Sequence, residues 1–320
     1  MCVTCGCSGD GPATVSMPGA PTEPAREHGP VHTHADGTTH SHEPTHGRDH
    51  DVGHAHHAHE DEHTHQHGHG HEHEHDDHAH GHGHDRTHDH TPLRVPGRDT
   101  QTIALEAAVL GKNQALAERN RGWLAGRGVL ALNLMSSPGA GKTTLLERCI
   151  RDLQGQVGIA VVEGDQATEN DAERIRATGA AAVQVNTGTG CHLEADMLQR
   201  ALQLLQPLPG SVLMIENVGN LVCPALFDLG EQARVVIFSV TEGEDKPLKY
   251  PHMFKAADVL LLSKTDLLPH LRVDLRRMVD NALRINPRLK IFPVSAYSGE
   301  GLDAWYGWLR DELATIGVAA

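Results

Sequence analysis

Apolar residues along this chain come in short blocks separated by polar, helix-patterned stretches. β-Branched and aliphatic runs recur at Val129–Met135, Val157–Glu163, Ala181–Asn186, Ser211–Glu216, Arg234–Val240, Asp258–Ser263 and Leu289–Val294. Continuous apolar runs of this length read as strands buried on both faces. Between them the spacing predicts helices over about 143–154, 169–178, 192–205, 272–284 and 301–316. Strands alternating with helices predict an α/β domain with a mostly parallel sheet covered on both faces. Ligand-binding loops are then expected at the C-terminal strand ends.

The first 97 or so residues break this pattern. They contain almost no Leu, Ile, Phe or Trp and cannot bury a core. The expected organisation is a cysteine motif over 1–8, a disordered histidine-rich arm over 9–97 and one folded domain over 98–320. The formal net charge of −15 argues against a nucleic-acid partner, which needs a basic face. No run of eighteen apolar residues is present, so no membrane span is expected. Met1–Cys7 lacks the basic and apolar regions of a secretory signal, and a cytoplasmic location is expected. In a reducing compartment the six cysteines read as metal ligands or core thiols rather than disulfides.

The chemistry begins after the first strand. Ser136-Ser137-Pro138-Gly139-Ala140-Gly141-Lys142-Thr143-Thr144 is a glycine-rich turn leading into a helix. Such a turn wraps nucleotide phosphates with backbone N–H groups, from Gly139, Ala140 and Gly141 through Thr144. Lys142 reaches the β/γ oxygens and the Thr143 hydroxyl meets Mg²⁺. Ser136 stands where the usual pattern has its first glycine. Asp165, at the end of a strand, reads as a second Mg²⁺ contact or as a helix N-cap. Glu216 is followed three residues later by Gly219, a spacing that can sense a γ-phosphate. Ser263-Lys264-Thr265-Asp266 resembles the guanine-recognition motif of GTPases, with serine in place of the commoner asparagine. Asp266 would accept from guanine N1 and N2 while Lys264 lies along the base. Ser295 and Ala296 fit the last base-contacting loop. These features favour GTP over ATP, because a site built on specific hydrogen bonds discriminates strongly.

Three groups of residues suit soft or borderline metals. All but three of the 27 histidines lie between His28 and His90, where alternating imidazoles can hold several divalent ions without selecting among them. Cys2, Cys5 and Cys7 can converge on one ion, as Ni²⁺ or Zn²⁺. The alternative there is a redox pair or three ordinary thiols. Cys191, His192 and Cys223 all follow C-terminal strand ends. They read either as a partial metal site completed by a second subunit or water, or as two buried cysteines beside a surface histidine. Cys149 reads as a core thiol.

Together, residues 102 to 316 and the N-terminal cysteines resemble the HypB family of hydrogenase maturation GTPases. The resemblance is carried by Ser136–Thr144, Glu163–Arg176, Asn186–Leu193, Ile215–Pro224 and Thr241–Tyr250. It implies a GTPase that stores nickel and delivers it to [NiFe]-hydrogenase, dimerising when GTP is bound. It also implies that Cys191, His192 and Cys223 bind Ni²⁺ or Zn²⁺ at the dimer interface, and that Cys2, Cys5 and Cys7 form a tight nickel site. The partners it implies are a HypA-type nickel chaperone and the hydrogenase large-subunit precursor. GTP binding is expected to close Glu163–Arg176 and Glu216–Cys223 around the γ-phosphate, coupling nucleotide state to metal affinity. Lys142 and Asp165 then carry the hydrolytic chemistry. No residue is evident for positioning water, so slow hydrolysis is expected. Competing readings are a metal store with a vestigial GTPase, an accessory GTPase for another nickel enzyme such as urease, and an ATPase of similar fold.

Overall fold

The computed structural model describes residues 13–16, 31–33, 39–41, 100–166 and 170–318. Seven strands form a parallel array: β4 (Leu130–Ser136), β5 (Ile159–Asp165), β6 (Ala181–Asn186), β7 (Val212–Glu216), β8 (Ala233–Ser239), β9 (Val259–Ser263) and β10 (Lys290–Pro293). Every run expected to be a strand forms one, with ends shifted by at most two residues. An eighth strand, β1 (Thr14–Ser16), pairs antiparallel on the β6 edge, with Thr14 opposite Asn186. The sheet order is β1-β6-β5-β7-β4-β8-β9-β10. Strands β4 and β7 are buried at every position, as a sheet covered on both faces requires.

Helices cover both faces. α2 (Lys142–Leu153), α3 (Asn170–Ala177) and α8 (Leu302–Val318) pack on one, where Leu146, Leu153, Ile175 and Trp305 meet Leu132 and Met214. α1 (Thr100–Ala125) and α4 (Ala195–Leu205) cover β5, β6 and β7 on the other through Leu124, Leu198 and Leu202. α6 (Pro251–Ala256) and α7 (Leu275–Ile285) cover β8 and β9 through Phe254 and Met278. Each buried Leu or Phe contributes about 1.5–3 kcal/mol by leaving water. A further short helix, α5 (Lys246–Lys249), precedes α6. No described helix is long and apolar enough to cross a membrane.

Two elements depart from expectation. The stretch 9–97, expected to be disordered throughout, supplies β1 to the main sheet. It also holds an antiparallel pair, β2 (Val31–Thr33) and β3 (Thr39–Ser41), in a second unit spanning Pro21–Val95. β1 needs no core of its own, because it borrows the ladder of β6, and Arg200 donates to the Ala13 carbonyl at 2.9 Å. The helix expected from 192 begins instead at Ala195. Glu194 is extended, and the Leu193 N–H is committed to the Asn217 side chain rather than to a helical turn. The later start of α7 has a simpler cause: Asp274 Oδ1 accepts from the Arg276 and Arg277 N–H groups and caps the helix there.

Candidate functional site

The C-terminal ends of β4, β5 and β7 open into a cleft of about 560 Å³. Its floor is the turn between β4 and α2, where Gly139 and Gly141 take φ of 75° and 96°, which only glycine adopts without strain. α2 begins at Lys142, so its N-terminus and unpaired N–H groups face the cleft. Lys142 Nζ donates to Ser136 Oγ at 2.9 Å. The serine at the first position of the turn thus gives the lysine a partner that glycine could not. Ser137 Oγ in turn donates to Glu242, which also caps the segment after β8.

Opposite the turn lie two buried carboxyls. Glu163 and Glu216 are direct partners on neighbouring strands and are 2% and 4% exposed. Thr143 Oγ1 donates to Glu216 Oε1 at 2.9 Å. The Oε2 atoms of both glutamates have no hydrogen-bond partner. Burial, reinforced by the charges of Glu216, Asp165 and Asp171, pushes the Glu163 carboxyl up to about 8. Burial likewise raises Glu216 to about 7, against the pull of Lys142 and the Thr143 hydroxyl. Asp165 also lines the cleft, its Oδ1 accepting from the Gln166 N–H at 2.7 Å. Thr143, expected with Asp165 at Mg²⁺, here donates to Glu216, a carboxyl the sequence assigned to γ-phosphate sensing. Glu163, which the sequence placed only at a strand end, faces Glu216 through a register fixed by long-range pairing. Hydroxyl and carboxylate oxygens, two of them buried without a partner, form a donor set suited to a hard divalent cation. Arg174 bridges the rim, donating to Glu147 at 2.9 Å and Asp171 at 3.0 Å.

The far end of the turn is tied to the β9 and β10 loops. Ser263 Oγ donates to the Ala140 carbonyl at 2.8 Å, and Lys264 Nζ to the Gly139 carbonyl at 2.7 Å. Ser263, the departure from asparagine, therefore still anchors the turn. Ser295 Oγ donates to Asp266 Oδ1 at 2.5 Å, which orients that carboxylate. Ala296 is fixed from below by Arg148, which reaches its carbonyl at 3.1 Å.

A second cluster lies behind the cleft. Ligand atoms of Cys191, His192 and Cys223 all fall within 4.8 Å of one another, and all three residues are buried. Metal–sulfur bonds of about 2.3 Å limit two ligands of one ion to roughly 4.6 Å apart, so the cluster stands close to a shared coordination sphere. The His192 ring stacks on Phe227 with centroids 3.9 Å apart. Its Nε2 has no hydrogen-bond partner and lies 3.7 Å from Glu194 Oε1. Burial lowers the His192 pKa to about 4, which keeps the imidazole neutral and able to ligate. This corrects the alternative that placed His192 on the surface. Phe227 carried no signal in the sequence, because its contact is tertiary. Cys149 is buried in the core, and burial pushes its thiol up to about 12. Cys2, Cys5, Cys7 and most of the histidine-rich arm lie outside the described residues.

Residues 130–293 match the model of the CobW/HypB/UreG nucleotide-binding domain. The chain is 58% identical over 219 residues to the hydrogenase maturation factor HypB of Rhizobium leguminosarum bv. viciae, covering 68% of this chain and 73% of that one. The crystal structure of HypB from Archaeoglobus fulgidus superposes with a TM-score of 0.60 at 41% identity, covering 64% of this chain and 100% of that one. The crystal structure of HypB from Helicobacter pylori in complex with nickel gives a TM-score of 0.60 at 38% identity, covering 64% and 96%. The family match over residues 130–293 and the identity to relatives covered over most of their length show that the chain belongs to the HypB family of hydrogenase maturation factors.

Proposed function

We propose that this chain is a GTP-hydrolysing nickel carrier that serves maturation of [NiFe]-hydrogenase, with nucleotide state coupled to metal affinity. The observation that carries this reading is the buried Cys191–His192–Cys223 cluster beside the nucleotide cleft. Cys223 lies four residues beyond Gly219, a cleft residue, so a segment that follows the γ-phosphate also carries a metal ligand. Nickel or zinc is cargo here, held by two thiolates and a neutral imidazole, ligands that suit both ions. Three ligands leave the coordination sphere open, which favours completion by a second copy in a GTP-dependent homodimer, or by water.

Guanine is preferred over adenine through Asp266, which is held by Ser295 and set to accept from N1 and N2. Thr143, Glu216, Glu163 and Asp165 would hold Mg²⁺, which supplies charge neutralisation at the phosphates. The residues themselves do the following. The α2 N-terminus and the turn amides bind the phosphates. Lys142 leaves Ser136 to meet the developing phosphoryl charge. Arg174 and Lys264 close the two rims. Hydrolysis is slow, because the sequence offers no evident residue for positioning the attacking water. Cys2, Cys5, Cys7 and the histidine-rich arm act as storage sites upstream of the cluster. A HypA-type chaperone and the hydrogenase large-subunit precursor receive the ion in the cytoplasm.

The test uses the full-length chain carrying Cys2→Ser, Cys5→Ser and Cys7→Ser. The thiolate-to-Ni²⁺ charge-transfer band then reports the remaining cysteines, while the histidines stay silent. Ni²⁺ affinity is measured by chelator competition with GDP and with a non-hydrolysable GTP analogue, alongside dimer state. A nucleotide-dependent affinity that vanishes in Cys223→Ala supports the carrier. Equal affinity in both states leaves storage as the better account.

A further inference from the structure

The Cys191–His192 dipeptide is held on both sides by residues of the nucleotide cleft. On its N-terminal side, the Gly190 carbonyl accepts from Gln166 Nε2 at 3.2 Å and from Thr187 Oγ1 at 2.8 Å. Thr187 N–H in turn donates to the Asp165 carbonyl at 2.9 Å. On its C-terminal side, the Leu193 N–H donates to Asn217 Oδ1 at 3.0 Å. Asn217 Nδ2 continues to Asn133 Oδ1 at 3.1 Å, inside the sheet. The Leu193 side chain fills the space over Gly164, where a Cβ would come within 2.8 Å of it. Gly164, Asp165, Gln166 and Asn217 all line the cleft. The Cys223 segment is built differently: its turn closes on itself, with the Val222 N–H donating to Asn220 Oδ1 at 2.8 Å and Leu226 N–H to the Cys223 carbonyl at 3.0 Å.

We propose that Gln166 and Asn217 act as positioning residues that bracket Cys191–His192 and move it relative to Cys223 when the nucleotide changes. The proposal rests on the carrier reading above and names the parts that transmit its coupling. Gln166 follows the last residue of β5, and Asn217 follows the last residue of β7, so both strand ends that frame the carboxyl pair hold the same dipeptide. The required motion is small. The three ligand atoms lie within 4.8 Å of one another, with Cys191 Sγ 3.6 Å from His192 Nδ1, so a shift of about an ångström between the dipeptide and Cys223 decides whether one ion reaches all three. The buried Leu193–Gly164 contact makes such a shift transmissible, because a packed contact passes displacement on rather than absorbing it. Coupling between the sites requires the bracket to take a second arrangement that both ligands bias.

The experiment uses the same full-length Cys2→Ser, Cys5→Ser, Cys7→Ser chain, with Ni²⁺ alone as the metal. For each variant the Ni²⁺ affinity is measured without nucleotide, with GDP and with the GTP analogue. The nucleotide affinities are measured with and without Ni²⁺, since coupling must be reciprocal. With the bracket intact, the ratio of Ni²⁺ affinities between nucleotide states is expected at about 5-fold or more. In Asn217→Ala it falls below about 2-fold. In Gln166→Ala, an exposed substitution that leaves the core untouched, it falls by about half. Ni²⁺ affinity without nucleotide stays within about 3-fold in both. A ratio that persists in both variants overturns the bracket and leaves the carrier standing, with Cys223 as the transmitting side. Loss of Ni²⁺ binding in every nucleotide state also overturns it, because the residues then merely build the site. A ratio of one with the bracket intact removes the carrier reading itself.

Discussion

Two candidate ion sites lie at the C-terminal end of the sheet and differ in almost every physical respect. The cleft offers hydroxyl and carboxyl oxygens and leaves two buried oxygens without partners. The cysteine–histidine cluster offers sulfur and nitrogen, holds its histidine neutral and rests it on an aromatic ring. The first is poised for a hard cation that arrives with phosphates, and the second for a soft or borderline one. The lesson concerns electrostatic frustration. The carboxyl pair is costly to bury alone, and a bound cation relieves that cost. The cluster holds one unpartnered polar atom, His192 Nε2, against two in the carboxyl pair, and its histidine is neutral.

The comparison can be broken most forcefully at Lys142. Lys142→Ala removes the cation that meets phosphoryl charge, and the hydrolysis rate should fall by about 100-fold or more in a steady-state phosphate-release assay. Cys223→Ala should weaken Ni²⁺ binding to the cluster by at least about 100-fold by chelator competition, while Mg²⁺-dependent hydrolysis is retained. Those two results together establish that the regions are chemically separate. Phe227→Ala leaves all three ligands in place but removes the ring that orients His192, and a loss of about 10-fold in Ni²⁺ affinity is expected. Glu163→Gln tests the frustration directly: it removes a buried carboxyl that must either hold a proton or share its charge with Glu216, and should raise metal-free stability by about 1–3 kcal/mol in urea unfolding. That gain would be offset by a smaller stabilisation from Mg²⁺. The smallest effect belongs to Ser263→Ala, which deletes one hydrogen bond to the phosphate turn. It should weaken nucleotide binding by about 5-fold, near 1 kcal/mol, in a fluorescent-nucleotide titration.

The parallel sheet and the phosphate turn were legible in the sequence because both are local. Continuous apolar runs mark β4 and β7, and Gly139 through Thr144 specify their own geometry. α1 was not legible as a helix. It spans 26 residues with apolar and polar positions on all sides, so no stripe announces it. Its role is set by tertiary contacts, with Asn113 accepting from the Ala195 N–H at 2.9 Å and Asn120 donating to the Leu229 carbonyl at 3.0 Å. β1 escaped notice for another reason. Three residues in a coreless stretch make a strand only when an edge is waiting for them. In the candidate site the grouping of Cys191, His192 and Cys223 could be named from sequence, but the carboxyl pair and the contacts that hold the dipeptide could not. Glu163 meets Glu216, and Asn217 meets Leu193, only through strand register and loop packing.

The direction of β1 has one further consequence. It runs antiparallel to β6, with Thr14 opposite Asn186, and Asn186 stands beside Asp165 at the cleft end of the sheet. Thr14 therefore begins β1 at the end of the sheet that holds the cleft. Six residues lie between Cys7 and Thr14, so a fully extended chain allows at most roughly 25 Å between their Cα atoms. A sphere of that radius corresponds to an effective concentration in the millimolar range. Three residues of edge strand thereby turn an encounter between two thiol groups from a matter of protein concentration into a matter of tether geometry.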